Sequence, residues 1–398
     1  MRTRMSLLFM VGVLLAPAVA RAQDESPWMF MSDGVLFATF NDQGGPRGGD
    51  ELKSTNWWMA MATRPAGPGR LTLTGMISLD ALTATSHGYR EIFQAGEAYK
   101  GAPIVDWQHP HDFLMQASVS WRVPIDYQTG FTIAAAPVGE PALGPIAFMH
   151  RASAAENPTA PLAHHTLDST HIAMGVITAA VDRGPWTFET SLFHGAEPDE
   201  NRWDLMDPGA LDSWSARAWY QPSPAWQFQV SHGFLKQPEA LEPGDVRRTT
   251  ASAAWFAPRP DGFSAATIAF GRNNKEHGAF NALLAEATDH RGRTSIYGRL
   301  ESVDTETALL ASGGLAIDTG LDEPASRVTA FTAGAVRDLR TWRGFEVGTG
   351  ADLTLYAVPD TLRQAYGDHP VSVHVFLRIR PPAGHMGRMW NMRMAGPM

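Results

Sequence analysis

Apolar and polar residues alternate with a period of two along most of the chain, in segments of about ten residues. In residues 112–122, Met115, Val119 and Trp121 share one face and Gln116 lies on the other. The same alternation occurs in residues 70–80, 226–231 and 371–380. Each of these segments predicts a β-strand with one apolar and one polar face.

Short and long connections alternate between these segments. The short ones are rich in Pro, Gly and Asp, as in RPAGPG at residues 64–69 and DRGP at residues 182–185, which is typical of tight turns. The long ones are more polar, as in residues 83–111, 139–168 and 305–325. This rhythm is typical of transmembrane β-barrels, whose closed sheets satisfy every backbone hydrogen-bonding group within lipid.

The fold class that we predict is all-β: a transmembrane antiparallel up-and-down β-barrel of about 16 strands, with short periplasmic turns and long extracellular loops. The strands are expected to begin near Val35, Asn56, Arg70, Asp112, Gly130, Ser169, Trp186, Leu211, Ala225, Arg247, Phe263, Asn281, Arg293, Arg327, Phe345 and Val371. A miscount of one hairpin would give about 14 strands. A soluble, secreted β-sandwich or propeller would also alternate, although no blade-length repeat is visible. In the barrel, we expect Met115, Val119 and Trp121 to face lipid.

The first 22 residues have the three-part layout of a secretory signal peptide. Arg2 and Arg4 precede an apolar run, and Ala20 and Ala22 provide a cleavage site before Gln23. The alternative is an N-terminal membrane anchor, although the apolar run is shorter than the roughly 20 residues that a spanning helix needs. We therefore expect the barrel to occupy residues 23–381, followed by a disordered periplasmic tail at residues 382–398.

Composition narrows the possible partners and stabilising bonds. The chain has no cysteine, so neither disulfides nor a lipidated cysteine is available. The formal net charge of −9 argues against a nucleic-acid partner, which usually requires a basic face.

The signal peptide, the hairpin rhythm and the terminal strand together resemble Gram-negative outer-membrane β-barrels of the porin-like kind, over essentially the whole mature chain. The resemblance implies the cell outer membrane as location, with outer-membrane lipid and the insertion machinery as partners. It also implies passage of a small polar solute or metal ion. The chain departs from the group's usual pattern at its end, because Phe376 is the one aromatic residue of the last strand and 18 residues follow Arg380.

Twelve of the fourteen histidines map to the outer mouth under this strand count, together with several acids. In the segment QHPHD, His109 and His111 lie two residues apart, so that their side chains point the same way in an extended chain. Imidazole with carboxylate suits copper or zinc. The candidate metal ligands are His109, His111, Asp112, His150, His164, His165, Asp168, His171, His194 and Glu197. Alternatively, these residues cap hairpins or form hydrogen bonds that pack the loops.

The C-terminal tail is a second candidate for a soft metal, because thioether and imidazole ligands together favour Cu(I). Its candidate ligands are His385, Met386, Met389, Met392 and Met394. A disordered tail that happens to be rich in methionine is the alternative.

The inward faces of the predicted strands carry charges of both signs. The expected lumen-lining residues are Arg122, Glu189, Arg217, Glu286, Arg299, Glu301, Glu346, His374, Arg378 and Arg380. Rows of both charges in a water-filled lumen orient small polar solutes. The long third loop, at residues 139–168, could fold inward and constrict this lumen.

These features favour a porin-like channel or a surface component of a copper- or zinc-handling system with histidine-rich outer loops. The alternative function is an outer-membrane barrel hydrolase with a His/acid site at the outer rim. For that reading, Asp168, Ser169 and His171 are adjacent in the chain, but a catalytic triad must converge in space. No G-x-S-x-G motif occurs.

Overall fold

Sixteen antiparallel strands close into a barrel in the computed structural model, which describes residues 27–85, 87–205, 209–242, 244–314, 325–383 and 388. The first and last strands pair with each other, with Leu36 opposite Ile379 and Asp42 opposite Val373. The predicted sixteen-strand barrel is therefore confirmed. The fourteen-strand count and the soluble sandwich are wrong, because the sheet closes on itself with all sixteen strands paired.

The described residues form eighteen strands, of which β4 and β5 make a separate two-stranded sheet. The strands are β1 (Met29–Gln43), β2 (Gly49–Ala66), β3 (Gly69–Ile77), β4 (Tyr89–Tyr99), β5 (Ala102–Gln108), β6 (Leu114–Pro124), β7 (Thr129–Gly139), β8 (Ala173–Arg183), β9 (Trp186–His194), β10 (Ser213–Ser223), β11 (Trp226–Leu235), β12 (Val246–Arg259), β13 (Gly262–Lys275), β14 (Gly278–Arg291), β15 (Thr294–Glu306), β16 (Ala325–Trp342), β17 (Phe345–Ala357) and β18 (Val371–Arg380).

The helices that the structure describes are short and belong to the connections. They are α1 (Asp80–Thr83), α2 (His164–Leu167), α3 (Thr307–Ser312) and α4 (Arg363–Tyr366), with 3₁₀ turns at Phe148–His150, Ser169–His171 and Asp360–Leu362. None of the described helices is long and apolar enough to cross a membrane.

Each barrel strand has an exposed apolar face and a buried polar face. In β9, Phe188 and Leu192 are exposed, whereas Glu189 and Ser191 between them are buried. Ile268 on β13 and Ile296 on β15 are likewise exposed on the outer face. An apolar outer surface on a closed sheet is stable in lipid and would be costly in water.

Aromatic residues gather at the short-turn end of the barrel. Trp186 stacks on Tyr220 with ring centroids 4.4 Å apart, and Trp226 lies opposite Trp255 in the strand register. Trp121 donates from its indole nitrogen to the carbonyl oxygen of Ala66, 3.0 Å away. An aromatic girdle of this kind marks the membrane interface. Together with the apolar belt, it identifies an outer-membrane β-barrel.

Met115 departs from the predicted alternation. The strand register between β3 and β6 shifts at Met76 and Ile77, so that Leu114 pairs with Ile77 and Gln116 with Met76. The extra residue, Met115, is buried rather than exposed to lipid. A β-bulge redirects one side chain in this way, and the prediction that Met115 faces lipid is therefore wrong.

Both ends of the chain extend past the described strands. The predicted signal peptide and the histidine and methionines of the predicted tail lie outside the described residues. Arg388 is described, and its guanidinium donates to Glu346 at 2.5 Å and to Asp33 at 3.2 Å.

A charge on the lipid face tests the membrane assignment. We expect Ile268→Arg, in the middle of β13, to lower the free energy of unfolding in lipid by roughly 2–4 kcal/mol, because the bilayer midplane cannot solvate the guanidinium. Tyr127→Arg is the control, because Tyr127 is 94 % exposed in the turn between β6 and β7. Urea titration of both variants in lipid vesicles measures the difference. Equal stability of the two variants would contradict the assignment.

Candidate functional site

Two long connections fold into the barrel and fill much of its lumen. They are L2 (residues 78–113), which contains the β4–β5 hairpin, and L3 (residues 140–172). L3 accepts a hydrogen bond from Thr55 on β2 at its Pro158 carbonyl (3.0 Å). It also donates from the backbone of Ala142 to Ser191 on β9 (2.8 Å). Further hydrogen bonds join L3 to β10, β11, β12, β13, β14, β15 and β18. L3 therefore crosses the lumen and contacts the wall on several sides.

A buried ion network fixes L3 to the wall. Arg151 of L3 lies 2.6 Å from Glu286 on β14 and 2.5 Å from Asp168 at the end of the same loop. It also donates to the carbonyl oxygen of Ile146 at 2.8 Å. Glu286 and Asp168 raise the pKa of Arg151 against the opposing effect of burial. Arg151 is therefore charged, and the two carboxylates compensate it.

Sequence reasoning placed ten charged or titratable residues in the lumen. All ten lie at strand positions that face inward in the observed register. Most of them are paired and buried. Arg217 contacts Glu189 at 2.7 Å, and Arg299 contacts Glu301 at 3.0 Å. The other contacts join Arg122 to Asp182, Glu286 to Arg151, His374 to Asp352, Arg378 to Glu156 and Asp338, and Arg380 to Glu346 and Glu156. Arg122 and Glu346 are the most accessible of the ten, with side chains 32 % and 30 % exposed.

Five imidazoles of L2 and L3 form a continuous row, which we call the His row: His109, His165, His164, His171 and His111. Neighbouring ring centroids along it are 5.4, 5.3, 5.2 and 5.5 Å apart. Next to one end, the carbonyl of His165, the second member of the row, accepts a hydrogen bond from Arg248 on β12. At the other end, His111 contacts Asp80, which accepts from the backbone N–H of Asn56 on β2.

The His row spans the lumen. Strands β12 and β2, which contact His165 and, through Asp80, His111, are separated by eight positions in the ring of sixteen, and therefore lie on opposite sides of the barrel. Sequence reasoning named all five histidines but not their order in space. Short helix α2 carries His164 and His165, and the following 3₁₀ turn carries His171, which brings the three rings together.

Four rings of the row have their Nδ1 atoms held by oxygen, and that of His109 lies 3.3 Å from the carbonyl oxygen of Pro110. His111 Nδ1 is 2.8 Å from Asp80 Oδ2, and His164 Nδ1 is 2.6 Å from Asp168 Oδ1. His171 Nδ1 is 2.9 Å from the carbonyl oxygen of Asp168. Metal-binding histidines typically use such second-shell contacts to fix the tautomer that leaves Nε2 free.

Several ring nitrogens of the row are buried with no hydrogen-bond partner among the described residues. They are Nε2 of His111, Nε2 of His171 and both ring nitrogens of His165. Leaving a buried polar atom unsatisfied costs about 1–3 kcal/mol. Such atoms point to a ligand that the protein alone does not supply.

Burial favours the neutral form of three of these imidazoles. It lowers the pKa of His109, His165 and His171 well below the ordinary value, and neighbouring cations or imidazoles lower it further. Burial also lowers the pKa of His150 to about 4. Neutral imidazole is the form that binds metals.

The remaining predicted ligands lie around the row. His150 stacks edge-on against Trp57, and its buried Nδ1 has no partner among the described residues. Asp112 is paired with Arg202 at 3.1 Å. His194 lies outside the row, 3.4 Å from Asp212 at the base of another loop. Burial, with nearby Glu239 and Glu97, raises the pKa of Glu197 well above its ordinary value.

A separate His/acid group lies at the long-loop rim. Within the described part of the chain, Glu242, His277 and Glu306 are the set of three or more histidine or acidic side chains whose ligand atoms all lie within 4.8 Å of one another. Lys275 Nζ, however, donates to Glu242 at 2.6 Å and to Glu306 at 2.9 Å. This ammonium already neutralises the two carboxylates, so the group is a weak candidate for a cation.

By the same measure, the His row does not bring three ring nitrogens within 4.8 Å of one another. Two adjacent rings can share an ion more readily than three, and a third nitrogen would require rotation of its ring about χ2. The row therefore does not form a closed tetrahedral cage in this arrangement.

Sequence reasoning missed two acids that position the row. Asp80 ends the alternating segment of residues 70–80 and lies near the start of L2, and its carboxylate orients His111. Glu97 lies in the β4–β5 hairpin, 3.0 Å from His109 Nε2, and is also paired with Arg202. Asp80 could have been predicted, because it is an acidic residue at the end of a strand and faces His111. The position of Glu97 depends on the hairpin inside L2, which was not predicted.

Asp168, Ser169 and His171, the residues named for the hydrolase alternative, do not form a triad. Ser169 Oγ accepts a hydrogen bond from Arg248 at 2.9 Å. His171 Nδ1 faces the main-chain oxygen of Asp168 rather than its carboxylate. Within the described part of the chain, no hydrogen bond joins Ser169 to His171.

The fold is that of porins of the bacterial outer membrane. An anion-selective porin from Comamonas acidovorans superposes with a TM-score of 0.54 at 12 % identity, covering 89 % of this chain and 99 % of that one. OprB of Pseudomonas putida gives 0.53 at 10 % identity, covering 89 % and 94 %. OmpF of Salmonella typhi, in a complex with daunomycin, gives 0.52 at 8 % identity, covering 88 % and 97 %.

No protein-family model and no curated protein sequence matches the chain. At these identities the likeness establishes the fold alone. The chain is a porin-like outer-membrane β-barrel, and its particular role must be argued from its own residues.

The ion network of Arg151 predicts how firmly L3 is held. We expect Arg151→Met to destabilise the loop by roughly 3–5 kcal/mol, because Glu286 and Asp168 become uncompensated buried charges. Larger single-channel currents and faster proteolytic cleavage within L3 should follow. Arg327→Met is the control, since Arg327 is 61 % exposed and paired with Asp304, and exposed pairs contribute about 0–1 kcal/mol. Unchanged current and cleavage in Arg151→Met would show that the network does not hold L3.

Proposed function

We propose that the protein is a porin-like outer-membrane channel of restricted bore, in which the His row binds a transition-metal ion, copper or zinc, as part of metal handling at the cell surface. The observation that carries the proposal is the set of unpartnered ring nitrogens in a row of imidazoles that crosses the lumen. An ion that enters the lumen would meet these imidazoles between opposite walls of the barrel.

The electrostatics of the row support an ion as its ligand. Oxygen acceptors hold Nδ1 of His111, His164 and His171, which raises the basicity of the opposite ring nitrogen. Neutral rings bind metal without first losing a proton. Hydrogen bonds that only pack the loops would satisfy both nitrogens of each ring, and here they do not.

The filled lumen supports a narrow rather than a general channel. A sixteen-strand barrel can enclose an aqueous pore wide enough for small solutes. In this barrel, L2 and L3 occupy the interior, and inward charges such as Arg299, Glu301 and Arg378 are almost fully buried. The paired charges leave little polar surface to orient a larger solute, which favours an ion-sized cargo.

Removal of the free imidazoles tests metal binding. We expect the double variant His111→Ala and His171→Ala to lose at least about tenfold in affinity for Cu(II) or Zn(II), since even second-shell changes cost about 10–100-fold. Isothermal titration of the detergent-solubilised protein measures the affinity. His232→Ala is the control, because His232 is exposed on β11 and bonded to Thr249. Equal affinities for the two variants would remove the His row as the binding site.

Current through planar bilayers tests the channel. We expect small conductance steps that micromolar Cu(II) or Zn(II) reduces, because the ion occupies the constriction. The His111→Ala and His171→Ala variant should conduct without this block, while His232→Ala should behave as the unmodified protein. Absence of conductance steps in the unmodified protein would contradict the channel, and it would leave metal binding to be judged by titration alone.

A further inference from the structure

A cleft at the long-loop end of the barrel leads to the His row, and we call it the rim cleft. It has a volume of about 90 Å³ and lies between β4, L3, the outer ends of β13, β14 and β15, and L5 (residues 236–245), the connection between β11 and β12. Glu239 and Glu242 of L5 and Glu306 of β15 line it, and so does His165, the second member of the row. The rim cleft therefore connects acids of the outer rim with the row.

Carboxylates outnumber cations in the lining of the rim cleft. Lys275 Nζ lies 2.6 Å from Glu242, 2.9 Å from Glu306 and 4.0 Å from Glu239. The fourth acid of the lining, Asp304, is paired with an arginine that is not part of the lining. One ammonium therefore faces three carboxylates. The two negative charges that it leaves over match the charge of one divalent cation.

The titration of two nearby acids agrees with this excess of negative charge. Burial raises the pKa of Glu197, and the carboxylates of Glu239 and Glu97 raise it further. Burial also raises the pKa of Glu242, and the carboxylate of Glu306 adds to this effect. Oε2 of Glu197 is buried and has no hydrogen-bond partner among the described residues. A bound cation would relieve the repulsion that favours protonation of these acids.

His165 lines the cleft with ring nitrogens that the protein does not satisfy. Both nitrogens are buried and have no hydrogen-bond partner within the described part of the chain. A Cβ at Gly96 would lie only 2.6 Å from His165 Nδ1, so the ring packs directly against the backbone of β4. Arg248 lies beside this histidine, but its guanidinium already donates to the main-chain oxygen of His165, to Asn273 and to Ser169. Such unsatisfied nitrogens point to a ligand, independently of the acids.

Ion pairs that only hold the loops together do not explain both features. The rim group of Glu242, His277 and Glu306 is a weak site by itself, because Lys275 donates to both of its carboxylates. The cleft adds a third carboxylate, which the single ammonium does not balance, and an imidazole with two unsatisfied nitrogens. Carboxylate oxygen and imidazole nitrogen are together the ligands of divalent metal ions such as Mn(II) and Zn(II).

We propose that the rim cleft is a capture site, in which Glu239, Glu242 and Glu306 bind a divalent cation from outside the cell before it passes to His165 and the rest of the His row. The inference rests on the proposed metal-binding function and adds the site of entry to it. The carboxylates accept a wider class of ions than the row, because imidazoles favour the later transition metals. A cleft lined by charges of one sign raises the association rate of counter-ions by about 10–10³-fold.

Binding of Mn(II) to the full-length protein in detergent tests the capture site, with the free ion measured by electron paramagnetic resonance. Manganese suits carboxylate ligands and requires no conductance through the barrel. The test variant is Glu239→Gln combined with Glu242→Gln, which removes two charges and keeps the shape of both side chains. The matched control is Asp360→Asn combined with Asp368→Asn. It removes two charges from another outer loop, where these side chains are 87 % and 74 % exposed.

We expect the glutamine variant to lose at least about tenfold in Mn(II) affinity, because the charge count of the ligands sets the affinity of an oxygen site for a hard cation. The asparagine control should bind as the unmodified protein does. Lys275→Met should bind Mn(II) more tightly, because it removes the competing ammonium, and a disturbed loop would not produce such a gain. Unchanged Mn(II) affinity in the glutamine variant, or an equal loss in the asparagine control, would overturn the capture site.

The rate at which Zn(II) blocks the current in planar bilayers tests passage from the cleft to the row. At low salt, Zn(II) added on the long-loop side should block the glutamine variant about tenfold more slowly. Its dissociation rate should stay unchanged, because the row is intact. At 1 M salt the difference should disappear, since the screening length is then about 3 Å. Equal block rates at low salt would overturn the role of the cleft in entry.

The His111→Ala and His171→Ala variant separates this inference from the proposed function. It should keep the Mn(II) affinity of the unmodified protein, because the capture site is intact, while it loses the Zn(II) block. Loss of Mn(II) binding in this variant would overturn a separate capture site. Failure of the row to bind Cu(II) or Zn(II) would instead overturn the proposed function, and the Mn(II) titration would still decide whether the cleft binds a cation.

Discussion

Closure of the sheet between β1 and β18 is the constraint on which the rest of the structure depends. In lipid, an unpaired strand edge would leave a row of backbone groups without partners, so the sixteenth strand must return to the first. Sixteen strands, however, enclose more space than the inward side chains can fill. The chain fills that space with L2 and L3, and the loops bring polar backbone into the barrel. The inward Arg, Glu and Ser side chains satisfy that backbone, as Arg299 does for Thr159 and Ser231 for Gly144.

The same filling explains why the His row is buried yet incompletely bonded. L3 is fixed at Arg151 by two carboxylates, and L2 is fixed at Arg202, which pairs with Glu97 and Asp112. These charges hold the loops in one arrangement. The imidazoles between them are therefore held in position and cannot move to form the missing hydrogen bonds. A cluster that served only to pack the loops would have relaxed toward saturation of its nitrogens. Rigid anchors with unsatisfied ligands between them are what a preorganised binding site requires.

The fold was largely predictable from the sequence, because the period of two is imposed by the strand and the apolar face is imposed by lipid. The expected starts at Trp186, Phe345 and Val371 coincide with the observed ones, since tight turns or long polar loops bound those strands clearly. Met115 was misplaced because a bulge depends on the register between two strands, which no single segment encodes. The β4–β5 hairpin was missed because it lies in the lumen and lacks the one-sided pattern that lipid imposes.

The site was predictable by residue type but not by arrangement. The histidines of L2 and L3 stand out in the sequence. Their order along the row depends on how the two loops pack inside the barrel, although His111 and His171, which are neighbours in the row, are about sixty residues apart in the chain. The methionines of β1, β2, β3, β6 and β8 that pack together with Met149 of L3 illustrate the same limit. Met59, Met61 and Met76 occupy strand positions that face inward, but their packing with Met149 depends on the path of L3.

The ion-sized cargo that we propose is also consistent with the cost of moving the loops. Passage of a larger solute would require L3 to leave the wall. That movement would separate Arg151 from Glu286 and leave the charges of several buried pairs without a partner. Breaking one buried pair costs about 3–5 kcal/mol, and L3 makes several such contacts. In the proposed function, an ion that exchanges between neighbouring imidazoles requires only side-chain rotation. The energetics of the filled barrel therefore favour transfer along fixed ligands over opening of the lumen.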